Sequence, residues 1–332
     1  MTEPALLAEV IRGDMMESQH RGHAVVVDDE GDIVVAFGDP QVVIYPRSSC
    51  KMLQALPMIE TGAAEAFGID PERLALACAS HSGGAIHTDR VIAWLAEMGL
   101  AERDLRCGPQ VPDDTPARHG LRADGHAPTQ VHNNCSGKHT GFLTLSRHLG
   151  GGPEYVDLDH PVQRLVRETF EEMTGAASPH VAIDGCSAPN FACTLHGLAH
   201  AMAKMAAPDT LAPKRCAAAQ ALVAAMMAHP LLVSGDGRAC AELTTAMSGK
   251  GAVKTGAEGV FTAILPSKRM GIALKVEDGA TRASEAAMAA LLVRVGALDR
   301  LDPAVQRRAN APMLNRRMLH VGHVQAHDAL WS

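Results

Sequence analysis

Ser48 and Lys51 are the residues whose types and spacing most directly suggest chemistry, because they form an S-x-x-K motif. On a helix, residues three apart share a face, so the lysine amine can reach the serine oxygen. A lysine that accepts the serine proton near neutral pH must be partly uncharged, which requires burial or a nearby cation. The apolar neighbours Met52, Leu53 and Leu56 are compatible with burial. The motif predicts a lysine-activated serine nucleophile, although S-x-x-K also occurs by chance in many helices.

A second motif, Lys254-Thr255-Gly256, stands just before a predicted β-hairpin. K-T-G beside a sheet edge accompanies S-x-x-K in penicillin-recognising serine enzymes, whose third motif, S-D-N, is absent here. The segment Ser80-His81-Ser82-Gly83-Gly84 offers a hydroxyl in its place. With Lys254 as its partner, Ser80 is a candidate proton relay to a leaving amine. The alternative is that Ser80 and the two glycines form an ordinary helix C-cap.

Two cysteines and a lysine form a third group of candidate residues. Cys135 and Lys138 are three apart, and Cys186 follows Asp184 by two positions. Two thiolates and one nitrogen leave an open position on a tetrahedral zinc ion. Lysine is an unusual ligand because its amine must be neutral, and the alternative is that both cysteines are buried structural residues.

The composition excludes several classes of partner. The chain of 332 residues has 30 basic and 37 acidic side chains, and 3% of its residues are aromatic, so we expect no nucleic-acid partner. No apolar run approaches the roughly 20 residues of a membrane span, and the N-terminus lacks the order of a signal peptide. The eight cysteines form no C-x-x-C pair. We therefore predict a cytoplasmic protein with no membrane partner and no disulfide framework.

Strand patterns stand near both ends of the chain. Residues 25–27 and 33–37 are β-branched runs that predict a hairpin, and residues 42–45 form a third extended piece before the helix that begins near Ser48. Residues 259–265 and 270–276 predict a second hairpin, and residues 320–324 predict one more edge strand. The two hairpins, far apart in sequence, would have to join one sheet.

The region between the hairpins has helical periodicity and is rich in Ala, Leu and Met. Separate runs of strands and helices predict an α+β fold with an antiparallel sheet. We expect a single catalytic domain, 1–332, with a sheet from about 22–46 and 259–277 and a helical region of about 48–250. The predicted helices cover residues 72–79, 87–98, 162–174, 196–205, 213–227 and 281–295.

With these residues assembled, the chain resembles the rhizobial-type, or class 3, L-asparaginases of the asparaginase II family, which share a serine β-lactamase-like architecture. The similarity runs from about residue 22 to about residue 297. The motifs that carry it are Tyr45-Pro46-Arg47-Ser48-Ser49-Cys50-Lys51, Ala79-Ser80-His81-Ser82-Gly83, His132-Asn133-Asn134-Cys135-Ser136-Gly137-Lys138-His139, Asp184-Gly185-Cys186 and Lys254-Thr255-Gly256-Ala257-Glu258-Gly259.

The resemblance implies hydrolysis of L-asparagine to L-aspartate and ammonia, with two dyads, Ser48 with Lys51 and Ser80 with Lys254. It also implies one zinc ion per protomer beside the catalytic serine, which shapes the substrate pocket, and a homodimer. If the fold is β-lactamase-like, the backbone N–H groups of Ser48 and Ala257 are the candidate oxyanion donors. The implied zinc ligands are Cys135, Lys138 and Cys186.

The substrate and the activity leave alternatives open. The α-carboxylate and α-ammonium of asparagine require opposite charges, for which Arg47, Asp184 and His139 are candidates, each also explicable as a surface ion pair or a satisfied polar group. A glutaminase with the same dyad is one alternative, since one methylene changes discrimination by only ~1–3 kcal/mol. A β-lactamase or D,D-peptidase is another, and a catalytically silent, zinc-stabilised amino-acid-binding scaffold is the non-enzyme alternative.

Overall fold

The computed structural model describes residues 2–332, so residue 1 of the predicted domain lies outside the described part. The chain divides into two compact units. The sheet unit contains the residues up to Cys50, Cys193–Ala207 and Glu242–Ser332, and the helical unit contains Lys51–Ala192 and Pro208–Ala241. The assignment of one catalytic domain stays a prediction.

Most of the strands lie in the sheet unit, and β5 and β6 of the list below belong to the helical unit. The runs at residues 25–27, 33–37, 259–265 and 270–276 lie in strands or form them, as predicted. Within residues 2–332 the strands are β1 Ala5–Arg12, β2 Met15–Asp28, β3 Ile33–Phe37, β4 Val43–Ile44, β5 Val181–Ile183, β6 Pro189–Phe191, β7 Cys193–Thr194, β8 Ala252–Thr255, β9 Val260–Leu265, β10 Met270–Val276, β11 Asn310–Leu314 and β12 His320–Ala326.

The main sheet is antiparallel and has eight strands in the order β11-β12-β1-β2-β10-β9-β8, with β3 paired to β2. Strand β2 connects the two predicted hairpins. Its residues Gly22 to Asp28 pair with β10, and Ala24 to Val27 also pair with β3. The predicted union of the two hairpins in one antiparallel sheet is therefore confirmed, and with it the α+β class.

The sheet is larger than the sequence pattern indicates. It begins at Ala5 rather than near residue 22. It also includes β8, so Lys254 and Thr255 lie within a strand, whereas the sequence pattern placed them just before the strands of the second hairpin. The strand predicted at residues 320–324 is confirmed as part of β12, but its predicted edge position is wrong, because β12 lies between β1 and β11. Strand β4 pairs with β7 in a separate two-stranded sheet.

Helices contain more residues than the strands do, and the six that were predicted with both ends are confirmed with those ends shifted by at most two residues. The helix predicted to begin near Ser48 begins at Lys51. Within residues 2–332 the helices are α1 Lys51–Glu60, α2 Ala63–Ala66, α3 Pro71–Ala77, α4 Ala85–Glu97, α5 Thr115–Ala123, α6 Ser136–Leu149, α7 Pro161–Thr174, α8 Leu195–Ala206, α9 Pro213–Ala228, α10 Pro230–Val233, α11 Ala239–Ala246, α12 Thr281–Arg294 and α13 Pro303–Ala309. None of the helices in this described part is long and apolar enough to span a membrane.

In the helical unit, α1 is the central element and packs against α3, α6, α7 and α9. Its residues Lys51 to Met58 are all buried. The functional consequence is that the lysine of the S-x-x-K motif opens a helix with packed neighbours around it, so its amine must find partners inside the protein.

In the sheet unit, α8 packs closely on β10 because β10 carries Gly271. A Cβ atom at this position would lie 2.1 Å from the carbonyl oxygen of Ala199, inside α8. Real atoms do not approach so closely, and the obstacle is backbone rather than a flexible side chain. The absence of a side chain at Gly271 therefore sets the distance between α8 and the sheet.

We predict that Gly271→Ala lowers the free energy of unfolding by ~1–3 kcal/mol, because the added methyl group forces α8 away from β10. Urea unfolding measures the change. The matched control is Gly120→Ala in α5, where a Cβ meets nothing within 4 Å. This control should be stabilising, since alanine is the better helix former. Equal midpoints for both variants would contradict the packing argument.

Candidate active site

The Lys51 amine is held by three acceptors in the helical unit. Its Nζ lies 3.1 Å from Ser80 Oγ and 3.1 Å from Cys135 Sγ, and it also donates to the carbonyl oxygen of Ala79. The lysine is 1% exposed. Together these three contacts fix the position of the amine. The structure thus brings the lysine of the first predicted dyad to the serine of the second.

Ser80 lies beyond the end of α3, in an extended segment held by backbone bonds. The C-cap of α3 is Cys78, so the alternative that Ser80 belongs to an ordinary cap is wrong. The Ser80 amide donates to the carbonyl of Val233 at 2.9 Å, and the His81 amide donates to that of Asn134 at 3.1 Å. These two bonds set the path of the segment that presents the serine hydroxyl.

His81 is a support for this segment that the sequence did not reveal. Its Nε2 lies 2.9 Å from Ser136 Oγ, which itself donates to the carbonyl of Val131, so the imidazole is the donor. Its Nδ1 accepts from the Gly83 amide at 3.1 Å. Burial lowers the pKa of His81 well below its ordinary value, and the stacked ring of His87 lowers it further. His81 is therefore a neutral connection between the Ser80 segment and α6.

The three predicted zinc ligands also lie together in the helical unit, and all three are buried. Lys138 Nζ lies 3.1 Å from Cys186 Sγ. The bond from Cys135 lowers the pKa of the Cys186 thiol well below its ordinary value, and the Lys138 charge acts in the same direction. The bond to Cys186 and burial raise the pKa of Cys135 to about 12. Of the two thiols, that of Cys186 therefore has the lower pKa.

The candidate donor atoms are two cysteine sulfurs, which zinc binds in many proteins, and one lysine nitrogen. Burial by itself would lower the pKa of Lys138, but the two thiols raise it above its ordinary value, so metal binding would have to release the lysine proton. Among residues 2–332, no three His, Cys, Asp or Glu side chains form a group that could hold a metal. A site here therefore depends on the two sulfurs of Cys135 and Cys186 and on Lys138 as the nitrogen donor.

Asp184 positions Cys186 through the turn of the β5–β6 hairpin. The Asp184 amide donates to the carbonyl of Ala188 at 2.9 Å, and the Ser187 amide donates to the carbonyl of Asp184 at 2.8 Å. Ser187 has φ 68°, the left-handed region that few residues other than glycine adopt. This tight turn directs the buried thiol while leaving Asp184 half-buried.

His139 is fully buried in α6, directly after Lys138. Its Nδ1 lies 2.8 Å from the hydroxyl of Tyr155, which accepts a bond from the Arg106 amide. Burial lowers the pKa of His139 well below its ordinary value, and the charge of Lys138 lowers it further. The imidazole is therefore neutral, and any role in substrate binding would be that of a hydrogen-bonding group.

Ser48 belongs to the sheet unit, in a 3-10 helix, Arg47–Cys50, that directly precedes α1. Ser49 Oγ donates to the Pro46 carbonyl at 2.7 Å, and Cys50 Sγ donates to that of Arg47 at 3.2 Å. Arg47 has φ 54°, a conformation that costs free energy in a residue with a side chain. Such strain is concentrated at functional sites, which is consistent with a nucleophile at the next position.

Thr262 joins the Ser48 turn to the strand that carries Lys254. Its Oγ1 lies 3.0 Å from the carbonyl oxygen of Ser49 and 3.2 Å from that of Lys254. Lys254 is fully buried, and its Nζ donates to the carbonyl of Thr255 at 2.8 Å. Nothing in the local pattern of β9 distinguishes Thr262 from any other strand threonine, so the sequence did not identify it.

Gly256 provides a second connection between these elements. A Cβ atom at this position would lie 2.6 Å from the Pro46 carbonyl oxygen and 3.2 Å from the Ser49 nitrogen. The K-T-G glycine is therefore required because the Ser48 turn lies directly against it. The following residue, Ala257, is exposed.

A model of the L-asparaginase II family matches residues 8–326. The chain belongs to the L-asparaginase II family. Membership makes the protein an asparaginase-type hydrolase and confirms the resemblance. The match begins earlier and ends later than the predicted range of about 22 to about 297, so this family's pattern includes the C-terminal strands.

Comparison with other proteins adds less. No curated protein is significantly similar to this chain in sequence. Similar solved structures include a β-lactamase from Mycobacterium bovis (15% identity, 82% of this chain and 94% of that one, TM-score 0.41). They also include a protein named Mglu (16% identity, 84% of this chain and 68% of that one, TM-score 0.46). A third is a putative β-lactamase from Bacteroides dorei (12% identity, 77% of this chain and 84% of that one, TM-score 0.43).

We predict that Thr262→Val lowers the rate of ammonia release from asparagine by about tenfold, because two carbonyl groups lose their shared donor and the Ser48 turn shifts. The free energy of unfolding should fall by ~1–3 kcal/mol. Thr262→Ser keeps the hydroxyl and is the matched control, expected to retain most activity. If valine and serine gave the same rate, the hydroxyl would have no positioning role.

Proposed function

We propose that this chain hydrolyses L-asparagine to L-aspartate and ammonia through an acyl-enzyme on Ser48. The observation that carries the proposal is the buried Lys51 amine bonded to the Ser80 hydroxyl. Lys51 stands three residues after Ser48, which follows the strained backbone of Arg47. A buried lysine amine in this position is suited to proton transfer, unlike a surface lysine whose amine is surrounded by water. Family membership supports the reaction class.

In the first half-reaction, Ser48 Oγ attacks the side-chain amide carbon of asparagine while Lys51, as the free amine, takes the hydroxyl proton. The tetrahedral oxyanion would be bound by the backbone N–H groups of Ser48 and Ala257. The proton passes from Lys51 through the Ser80 hydroxyl to the amide nitrogen, and the C–N bond breaks. Ammonia leaves, and a β-aspartyl ester remains on Ser48.

In the second half-reaction, water attacks the ester carbonyl. Its proton returns through the same groups, and the Ser48 oxygen recovers a proton as the C–O bond breaks. The bond between Lys51 and Ser80 supports this scheme because one continuous path then serves both directions. In the proposal, Lys254 is the lysine of the second dyad and holds the Ser80 hydroxyl in position.

The candidate zinc site would be formed by Cys135, Lys138 and Cys186. When bound there, zinc would supply a fixed positive charge that shapes the substrate pocket. Cys135 also contacts Lys51, so the same thiol connects the proposed metal ligands with the proposed base. Zinc, the homodimer and the cytoplasmic location remain predictions.

The substrate's α-groups need one positive and one negative partner. Arg47, next to Ser48, is our candidate for the α-carboxylate, and Asp184, in the hairpin turn before Cys186, is our candidate for the α-ammonium. His139 is neutral, and among residues 2–332 its buried Nε2 has no hydrogen-bond partner. We therefore assign His139 a hydrogen-bonding role at most, without a charge.

We predict that Ser48→Ala abolishes ammonia release from asparagine, lowering the rate at least a thousandfold, because no ester can form. Ser267→Ala, a serine on the turn before β10, is the matched control and should be unaffected. Ammonia is measured with asparagine and with glutamine, and nitrocefin hydrolysis tests the β-lactamase alternative. An undiminished rate in the Ser48 variant would reject the acyl-enzyme scheme, and no ammonia from the parent protein would favour the silent scaffold.

We predict that Cys135→Ser and Cys186→Ser each lower the zinc content of protein purified with zinc to less than a tenth of the parent value, because one soft ligand is lost. Elemental analysis provides the measurement. Cys216→Ser in α9 is the control, since this half-buried thiol lies outside the group. Zinc retained in both variants, or absent from the parent, would contradict the assignment.

A further inference from the structure

A groove of about 670 Å³ lies in the sheet unit, lined by residues of the chain from Arg300 to Trp331. Strands β11 and β12, helix α13 and the C-terminal 3-10 turn Asp328–Leu330 surround it. Its volume falls in the range of small-molecule binding sites. None of the proposed catalytic or zinc-binding residues lines it. This C-terminal groove therefore shares no lining residue with the proposed catalytic and zinc-binding groups.

The charge of this segment differs in sign from that of the whole chain. Residues 300–332 contain five arginines and two aspartates, whereas the chain as a whole has a net charge of −7. Among the residues that line the groove, the cationic or protonatable ones are Arg300, Arg307, His320 and His323, and the one carboxylate is Asp328. The groove therefore favours a ligand of negative charge.

Arg300 is prepared to bind an oxyanion. Its guanidinium carbon lies 4.4 Å from the centre of the Trp331 ring. Stacking uses the face of the guanidinium and leaves the N–H groups at its edge available for a two-point contact with a phosphate or carboxylate. Within residues 2–332, Arg300 forms no ion pair, whereas Arg307 lies 3.3 Å from Glu242.

A β-bulge places two histidines on the same side of β12. The register shifts so that Met313 pairs with Gly322 but Leu314 pairs with His320. In a regular strand, residues three apart face opposite sides, yet the rings of His320 and His323 stack with centroids 6.5 Å apart. Bulges commonly redirect a side chain next to a binding site. Here the bulge turns both imidazoles towards the groove.

We propose that the C-terminal groove binds a small molecule with two or more anionic groups, either phosphates or carboxylates. Arg300, stacked on Trp331, would form the two-point contact with one group, and the histidine pair with Arg307 would bind the second. The proposal does not depend on the amidohydrolase mechanism, since no residue of that mechanism takes part.

The test is isothermal titration of the full-length protein with inorganic pyrophosphate and, separately, with citrate. We expect saturable binding of at least one anion, which also identifies phosphate or carboxylate as the preferred group. Arg300→Ala should weaken it at least tenfold. Arg316→Ala, an exposed arginine outside the groove, is the matched control and should change the affinity less than twofold.

Arg300→Lys keeps the charge but loses the planar fork, so it should also weaken binding, and circular dichroism checks that each variant is folded. Binding should change the fluorescence of Trp331, whereas Trp94, the other tryptophan, is 1% exposed. No saturable binding of either anion, or equal losses for the Arg300 and Arg316 variants, would overturn the proposal.

Discussion

A lysine amine in a helical core must have each of its donors bonded, and this requirement organises the helical unit. Lys51 opens α1 among packed helices, and its partners come from the segment after α3 and from the start of α6. An unpaired amine there would cost several kcal/mol. The bonds that stabilise Lys51 are therefore also the bonds that bring a serine hydroxyl and a thiol to it.

The two units position their reactive groups in different ways. In the helical unit, buried polar groups bind one another: Lys138 with Cys186, Lys51 with Cys135, and His81 with Ser136. In the sheet unit, close backbone approach is more important, since Gly256 admits the Ser48 turn and Gly271 admits α8. The first arrangement sets charge and protonation, and the second sets distance.

Local patterns predicted the elements well where periodicity was strong. The hairpins of β2 with β3 and of β9 with β10 follow from alternating β-branched runs, and α12 follows from its apolar periodicity. The extent of the sheet was missed because β1 and β11 have mixed composition. Each pairs with the strand that follows it, β1 with β2 and β11 with β12, and only the pairing of β1 with β12 joins the two ends of the chain. Strand β12 lies inside the sheet because β1 pairs with one of its sides and β11 with the other.

The sequence by itself determined the kinds of chemistry available: a serine three residues before a lysine, a K-T-G strand, and two cysteines with a lysine that suit one metal. Only the tertiary structure decided that Lys51 meets Ser80, that His81 is a neutral support, and that Thr262 joins the Ser48 turn to Lys254. The physical reason is sequence separation. Thr262 and Ser49 are 213 positions apart, and a contact of that kind leaves no periodic pattern in either segment.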